Sequence, residues 1–237
     1  MRWLILTICR LIVLLTMKRR ISGMERVPAE GGVLIVSNHL GLIDPLALGI
    51  DLPRPFSILA KVEMFSWPII GPAARKMDAI PVRRGQSDRE AVRLVLEHLE
   101  AGHAVLMFPE GTYPKGKRGM IKAQPGAALL ALKSKATILP VAITGSEHIW
   151  NPRELPWNLF RRWPVRVTVG EPYQPTLSPK ISQKQALVLA TDEMMQRVAA
   201  LLPTDYQGYY RPALPTGEPA PTELVTLAPD EPGTSLS

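Results

Sequence analysis

Six short runs rich in valine and isoleucine, at residues 33–36, 57–60, 79–82, 104–108, 138–143 and 165–169, alternate with segments of helical pattern. Each run is a strand candidate. Strands alternating with helices predict one α/β domain over about residues 23–210, a layered mixed or mostly parallel sheet flanked by helices. In such a sheet the loops after the strands gather at one edge, and chemistry collects there. The clearest helix opens at Ser87, which forms a capping box with Glu90, places Val92, Val95, Leu96 and Leu99 on one face, and ends at Gly102. A second opens at Ser182 with Gln185 and runs towards Leu202, burying Leu187, Met194, Val198 and Leu201.

The ends differ from this middle. Residues 3–17 are mostly apolar, interrupted by Arg10 and followed by Lys18, Arg19 and Arg20. A full span needs roughly 20 apolar residues, and an arginine at mid-span costs about 2.5–3.5 kcal/mol. Residues 1–20 therefore read as a membrane-associated helix lying in the interface, held by bases at about 1 kcal/mol each near anionic headgroups. No small-residue cleavage site precedes the basic cluster, which argues against a secretory signal. Residues 211–237 are rich in proline and lack aromatic residues, the composition of a disordered tail. Cys9 is the only cysteine, so a disulfide framework is excluded.

The net charge is +7. Because the tail holds Arg211 against Glu218, Glu223, Asp230 and Glu231, the rest carries about +10, which suits an anionic surface or acidic substrates. A nucleic-acid motif is absent, and membrane contact accounts for the charge more simply. A second apolar stretch, 63–77, mixes Phe65, Trp67, Ile69 and Ile70 with Arg75 and Lys76, as where a protein admits lipid from a bilayer. Its alternative reading is a buried helix broken by Pro68 and Pro72.

Polar residues interrupt the apolar pattern at three strand ends. In VLIVSNHLGLIDP, His39 is followed five residues later by Asp44. On a regular helix that spacing is about 140° off-face, so the pair meets only across a strand-to-helix turn, for which Gly41 and Pro45 are suited. A histidine held by a carboxylate can serve as general base for an alcohol, which attacks a carbonyl poorly when protonated. In FPEGTYP, Glu110 precedes Gly111, which permits close backbone approach to a ligand, and Thr112, which adds a hydroxyl. AIPVRRG ends a strand in Arg83 and Arg84, whose planar forks suit phosphate. Singly, these are a capped structural histidine, a turn and a solvated charge pair.

Together and in this order, NHLGLID, AIPVRRG, FPEGT and ILPVAI resemble the four blocks of the glycerolipid acyltransferase family, that of 1-acyl-sn-glycerol-3-phosphate acyltransferases. The resemblance implies the fold of that family and an O-acyltransferase of phospholipid biosynthesis. It implies His39 as base with Asp44 as partner, substrate contacts from Arg84, Glu110, Gly111 and Thr112, and an acyl-donor side near Pro140. The donor would be acyl-CoA or acyl carrier protein and the acceptor a lysophospholipid, giving phosphatidic acid without metal, cofactor or covalent intermediate. The implied location is the cytoplasmic face of the cell membrane, peripheral or monotopic.

The chain departs from the family pattern at three positions: Gly41 where serine is frequent, Tyr113 and Pro114 where Arg-Ser commonly follows EGT, and Asp78 where glycine is frequent. Another lysolipid or an amino-lipid hydroxyl is an alternative acceptor. A catalytically silent membrane-surface protein is the alternative from a different class. A metal-dependent hydrolase using His39, Asp44 and Glu110 is disfavoured, since His98, His103 and His148 make no ligand pair with His39 by spacing.

Overall fold

The computed structural model describes residues 2–68, 70–83, 85, 88–114, 118–149, 161–175 and 181–212. Seven strands form one sheet: β1 (Met17–Ser22), β2 (Val33–Ser37), β3 (Phe56–Lys61), β4 (Ile80–Val82), β5 (Ala104–Met107), β6 (Thr137–Thr144) and β7 (Trp163–Val169). Their order is β1-β7-β6-β2-β5-β3-β4. All neighbours are parallel except β6 and β7, which are antiparallel. The sheet is thus mixed and mostly parallel, and all six strand candidates form strands.

Strand β2 is buried along its whole length, as a central parallel strand covered on both faces should be. Because side chains alternate across a strand, Leu34 and Val36 join one core and Val33 and Ile35 the other. The first core packs beneath α4 (Arg89–Glu100), α5 (Gly126–Ser134) and α6 (Gln183–Ala199). The second lies under α1 (Arg2–Thr16) and α2 (Asp44–Gly49), which contribute Val13, Ala47 and Leu48. The expected capping box at Ser182 and Gln185 is present on α6. The α4 cap differs: Asp88 occupies it, accepting from Ala91 N at 3.1 Å, while Ser87 lies outside the described residues. Backbone donors from Arg83 and Ala91 hold the Asp88 carboxyl below its ordinary range.

The N-terminal boundary also differs from expectation. The helix ends at Thr16, and Met17–Ser22, basic cluster included, is an edge strand of the sheet. An edge strand buries little, so a polar, charged sequence is compatible with it, and its lysine and arginines discourage pairing with another chain. Among the described residues no helix is long and apolar enough to cross a membrane. Helix α1 leaves Trp3, Leu4, Ile8, Leu11, Leu14 and Leu15 exposed.

The stretch 63–77 is two pieces rather than one helix, a 3-10 segment Val62–Ser66 and the helix α3 (Ile70–Lys76), with Trp67 46% exposed between them. Residues 213–237, most of the expected tail, and Ile69 lie outside the described residues.

Helix α5 ends on Lys135 in the left-handed region, φ 53°, with its side chain exposed. Glycine has no Cβ to clash there, and Lys135→Gly should stabilise the fold by about 0.5–1 kcal/mol. For a domain of this size that is a rise in melting temperature of roughly 1–4 °C. An unchanged or lower value would show that the left-handed cap is not strained.

Candidate active site

Where β2 ends, its next backbone groups leave the sheet, and side chains take over the pairing. Asn38, 1% exposed, donates from Nδ2 to the Ile143 carbonyl and accepts from Ile143 N–H, both at 2.8 Å. The amide imitates one further rung of the ladder on β6, so the main chain turns out without orphaning a buried partner.

His39 follows on the turn. Its Nδ1 lies 2.8 Å from Asp44 Oδ2, and the same oxygen accepts Leu40 N–H at 2.7 Å and Gly41 N–H at 2.9 Å. Asp44 is fully buried at the start of α2, followed by Pro45, so the five-residue spacing closes across a strand-to-helix turn. A carboxylate facing Nδ1 makes that nitrogen the donor and leaves a lone pair on Nε2. The imidazole stacks on Phe108, with centroids 4.1 Å apart and planes at 18°, and meets the Tyr113 ring edge-on at 5.1 Å. Asp44 Oδ1 has no hydrogen-bond partner among the described residues.

Glu110 lies just beyond β5, 3% exposed, with both oxygens engaged by main chain. Oε1 accepts His39 N–H at 2.9 Å and Oε2 accepts Ile121 N–H at 2.7 Å. Its carboxylate is therefore tied to the backbone carrying His39 rather than turned outward to a ligand. Burial pushes the Glu110 carboxyl from its ordinary 4.5 to about 7, opposed by the two backbone donors and assisted by the charge of Asp44. Gly111, at φ +69°, closes the following turn through its N–H to the Phe108 carbonyl at 3.0 Å.

The other expected residues make no hydrogen bond to His39 or Asp44 among the described residues. Thr112 is exposed, and Arg83 is an exposed side chain whose N–H donates to Asp88 at 2.8 Å. Arg84 lies outside the described residues. Pro140 is buried inside β6 and belongs to the sheet. Val141 pairs with Val169 but Ile138 with Tyr173, so the β7 side holds one extra residue there. Such a bulge is where a strand tolerates a residue without an N–H. No motif in the sequence assigns a role to Asn38, Phe108 or Tyr113. Phe108 and Tyr113 flank the PEGT stretch, and that was the available signal.

A family model described as Acyltransferase matches residues 18–144. The 1-acyl-sn-glycerol-3-phosphate acyltransferase of Bacillus subtilis is 27% identical over 183 residues, 77% of this chain and 87% of that protein. The chloroplast 1-acyl-sn-glycerol-3-phosphate acyltransferase of Arabidopsis thaliana is 32% identical over 136 residues, 56% of this chain and only 37% of that longer protein. The crystal structure of the 1-acyl-sn-glycerophosphate acyltransferase of Thermotoga maritima superimposes with a TM-score of 0.64 at 22% identity, covering 84% of this chain and 80% of that one. This last likeness is one of fold.

Glu110→Gln would set an amide NH2 against one of the two backbone donors and leave a buried N–H unpaired, a loss of about 1–3 kcal/mol. The gap should depend on pH. A raised carboxyl pKa contributes stability that is complete below the unfolded value of about 4.3 and is lost as pH rises through about 7, a range worth roughly 4 kcal/mol here. Urea midpoints should therefore separate wild type from variant more at pH 5 than at pH 8. A gap that is constant or widens with pH would contradict the assignment.

Proposed function

The chain belongs to the acyltransferase family, and from that premise we propose that it moves a fatty acyl group from an acyl-CoA or acyl carrier protein thioester to the free hydroxyl of 1-acyl-sn-glycerol 3-phosphate, giving phosphatidic acid. The names of its relatives support this acceptor. The observation that carries the reading is the His39–Asp44 pair at the carboxyl edge of a parallel sheet, its Nε2 unbonded among the described residues.

In this reading the acceptor hydroxyl sits at His39 Nε2. As its oxygen attacks the thioester carbonyl, the proton passes to Nε2, and Asp44 stabilises the imidazolium through Nδ1–H. The tetrahedral intermediate collapses, the C–S bond breaks, and the imidazolium returns the proton to the departing thiolate. The acyl group never resides on the protein.

Location follows the same edge. Because β1 runs parallel to β7, and β7 runs opposite to β6, Met17 stands at the edge where β2 ends in His39. Helix α1 enters the sheet there with its apolar side chains exposed. The proposed location is accordingly the cytoplasmic face of the cell membrane, with α1 in the interface.

His39→Ala should lower kcat by about 10²–10⁴-fold, while Asp44→Asn leaves a residue of turnover, read as lipid product by mass spectrometry. Near-wild-type turnover in His39→Ala would refute the base assignment. Replacing Trp3, Leu11 and Leu15 by serine should release the protein from anionic liposomes without changing its melting temperature. Persistent binding would place the docking surface elsewhere.

One observation favours the other acceptor class, another lysolipid or an amino-lipid hydroxyl: Tyr113, not a cation, stands against the base. The two readings separate at the arginines. Arg84→Ala should raise the KM for lysophosphatidic acid about tenfold, about 1.4 kcal/mol, and Arg83→Ala far less. Equally small effects, with activity on an uncharged lysolipid preserved, would favour the second class.

A further inference from the structure

The hydrogen bonds around His39 do not end at Glu110. Ile121, which donates to Glu110 Oε2, belongs to a loop held by residues 204–210, well past residue 144 where the family match stops. Met120 N–H donates to the Tyr206 carbonyl at 3.0 Å, and Tyr209 N–H to the Met120 carbonyl at 2.8 Å. Ala123 N–H donates to the Tyr210 hydroxyl at 3.0 Å. The two backbones touch at glycines: Gly119 and Gly208 have φ of +108° and +51°, and a Cβ on Gly208 would stand 2.2 Å from the Met120 carbonyl oxygen.

The same segment is fastened on its far side. Gln207 Nε2 donates to the carbonyls of Ala199 and Leu202, both at 3.1 Å, which caps the end of α6. The Tyr206 hydroxyl donates to Glu147 Oε1 at 2.6 Å, and Arg118 Nε lies 3.1 Å from that oxygen. Arg118 also reaches Asp205 at 3.7 Å. Glu147 sits in the 3-10 turn after β6, where the Ser146 carbonyl oxygen is 3.8 Å from a Cβ built on Gly41 of the His39 loop.

We propose that residues 204–210 are a strap that positions the base: the strap fixes 120–123, Ile121 fixes Glu110, and Glu110 fixes the backbone of His39. Gly208 and Tyr210 are then positioning residues for acyl transfer, although neither touches a reacting atom. This rests on the reading of His39 as general base. If the loop slips, Glu110 loses one of its two backbone donors and His39 N–H loses a fixed acceptor. A displacement of about 1 Å at a reacting group can cost up to ~100-fold in rate.

The test uses full-length protein in detergent, carrying ¹³C at histidine Cε1, with the His39 resonance identified by its absence in His39→Gln. Tyr210→Phe and Gly208→Ala are compared with Val27→Ala, a buried substitution in the second core, which contains no residue of the strap or of 120–123. The strap variants should shift the His39 resonance and lower kcat about tenfold, with acceptor KM within about twofold of wild type. Val27→Ala should lower the melting temperature and leave both readouts in place. If Gly208→Ala does not fold, Tyr210→Phe, which deletes one hydroxyl, carries the test. Folded strap variants with a wild-type His39 resonance would overturn the proposal, whatever their kcat. A shifted resonance with unchanged kcat would also overturn it, whereas near-wild-type turnover in His39→Gln would overturn the base reading on which it rests.

Discussion

A parallel strand buried on both faces must let its chain out at the carboxyl end without leaving backbone polar groups unpaired, and the site of this protein is built from the answer to that requirement. The Asn38 amide replaces a rung of the ladder, Asp44 collects two backbone N–H groups beside the imidazole, and Glu110 collects two more. Each polar side chain that draws attention as chemistry also serves the main chain. Among the described residues the imidazole keeps Nε2 open, while its Nδ1 is held by an aspartate that two backbone N–H groups fix in turn.

Two buried carboxyl groups thus flank one histidine and differ in their surroundings. Asp44 has one oxygen with three donors, whereas Glu110 spreads two donors over two oxygens, and burial raises its carboxyl pKa. The aromatic contacts from Phe108 and Tyr113 add a steric limit on ring rotation that hydrogen bonds alone do not provide. Position and orientation of the imidazole are therefore set by different interactions.

Much of this was legible in sequence because it is local. The Val/Ile runs, the capping box at Ser182 and the turn from His39 to Asp44 are all decided within a few residues. What escaped was set at long range. Strand β1 has no apolar run and is a strand only because β7 pairs with it, Met17 opposite Trp163. The α4 cap fell to Asp88 because the carboxylate also receives Arg83 N–H, a contact no capping pattern encodes. The ring contacts on His39 and the bond from Ala123 to Tyr210 join segments that no spacing rule connects. Pro140 likewise sits in β6 beside a bulge that its own sequence does not announce.

The pairing of β1 with β7 bears on the order of events during synthesis. Helix α1 and β1 emerge before the strand that completes their edge, which is made about 146 residues later, roughly 7–30 s at 5–20 residues per second. Through that interval the apolar side of α1 exists without the sheet it will join. Under the proposed interfacial role of α1, the nascent chain meets a bilayer before its domain closes, and the sheet is then completed on a helix already in place.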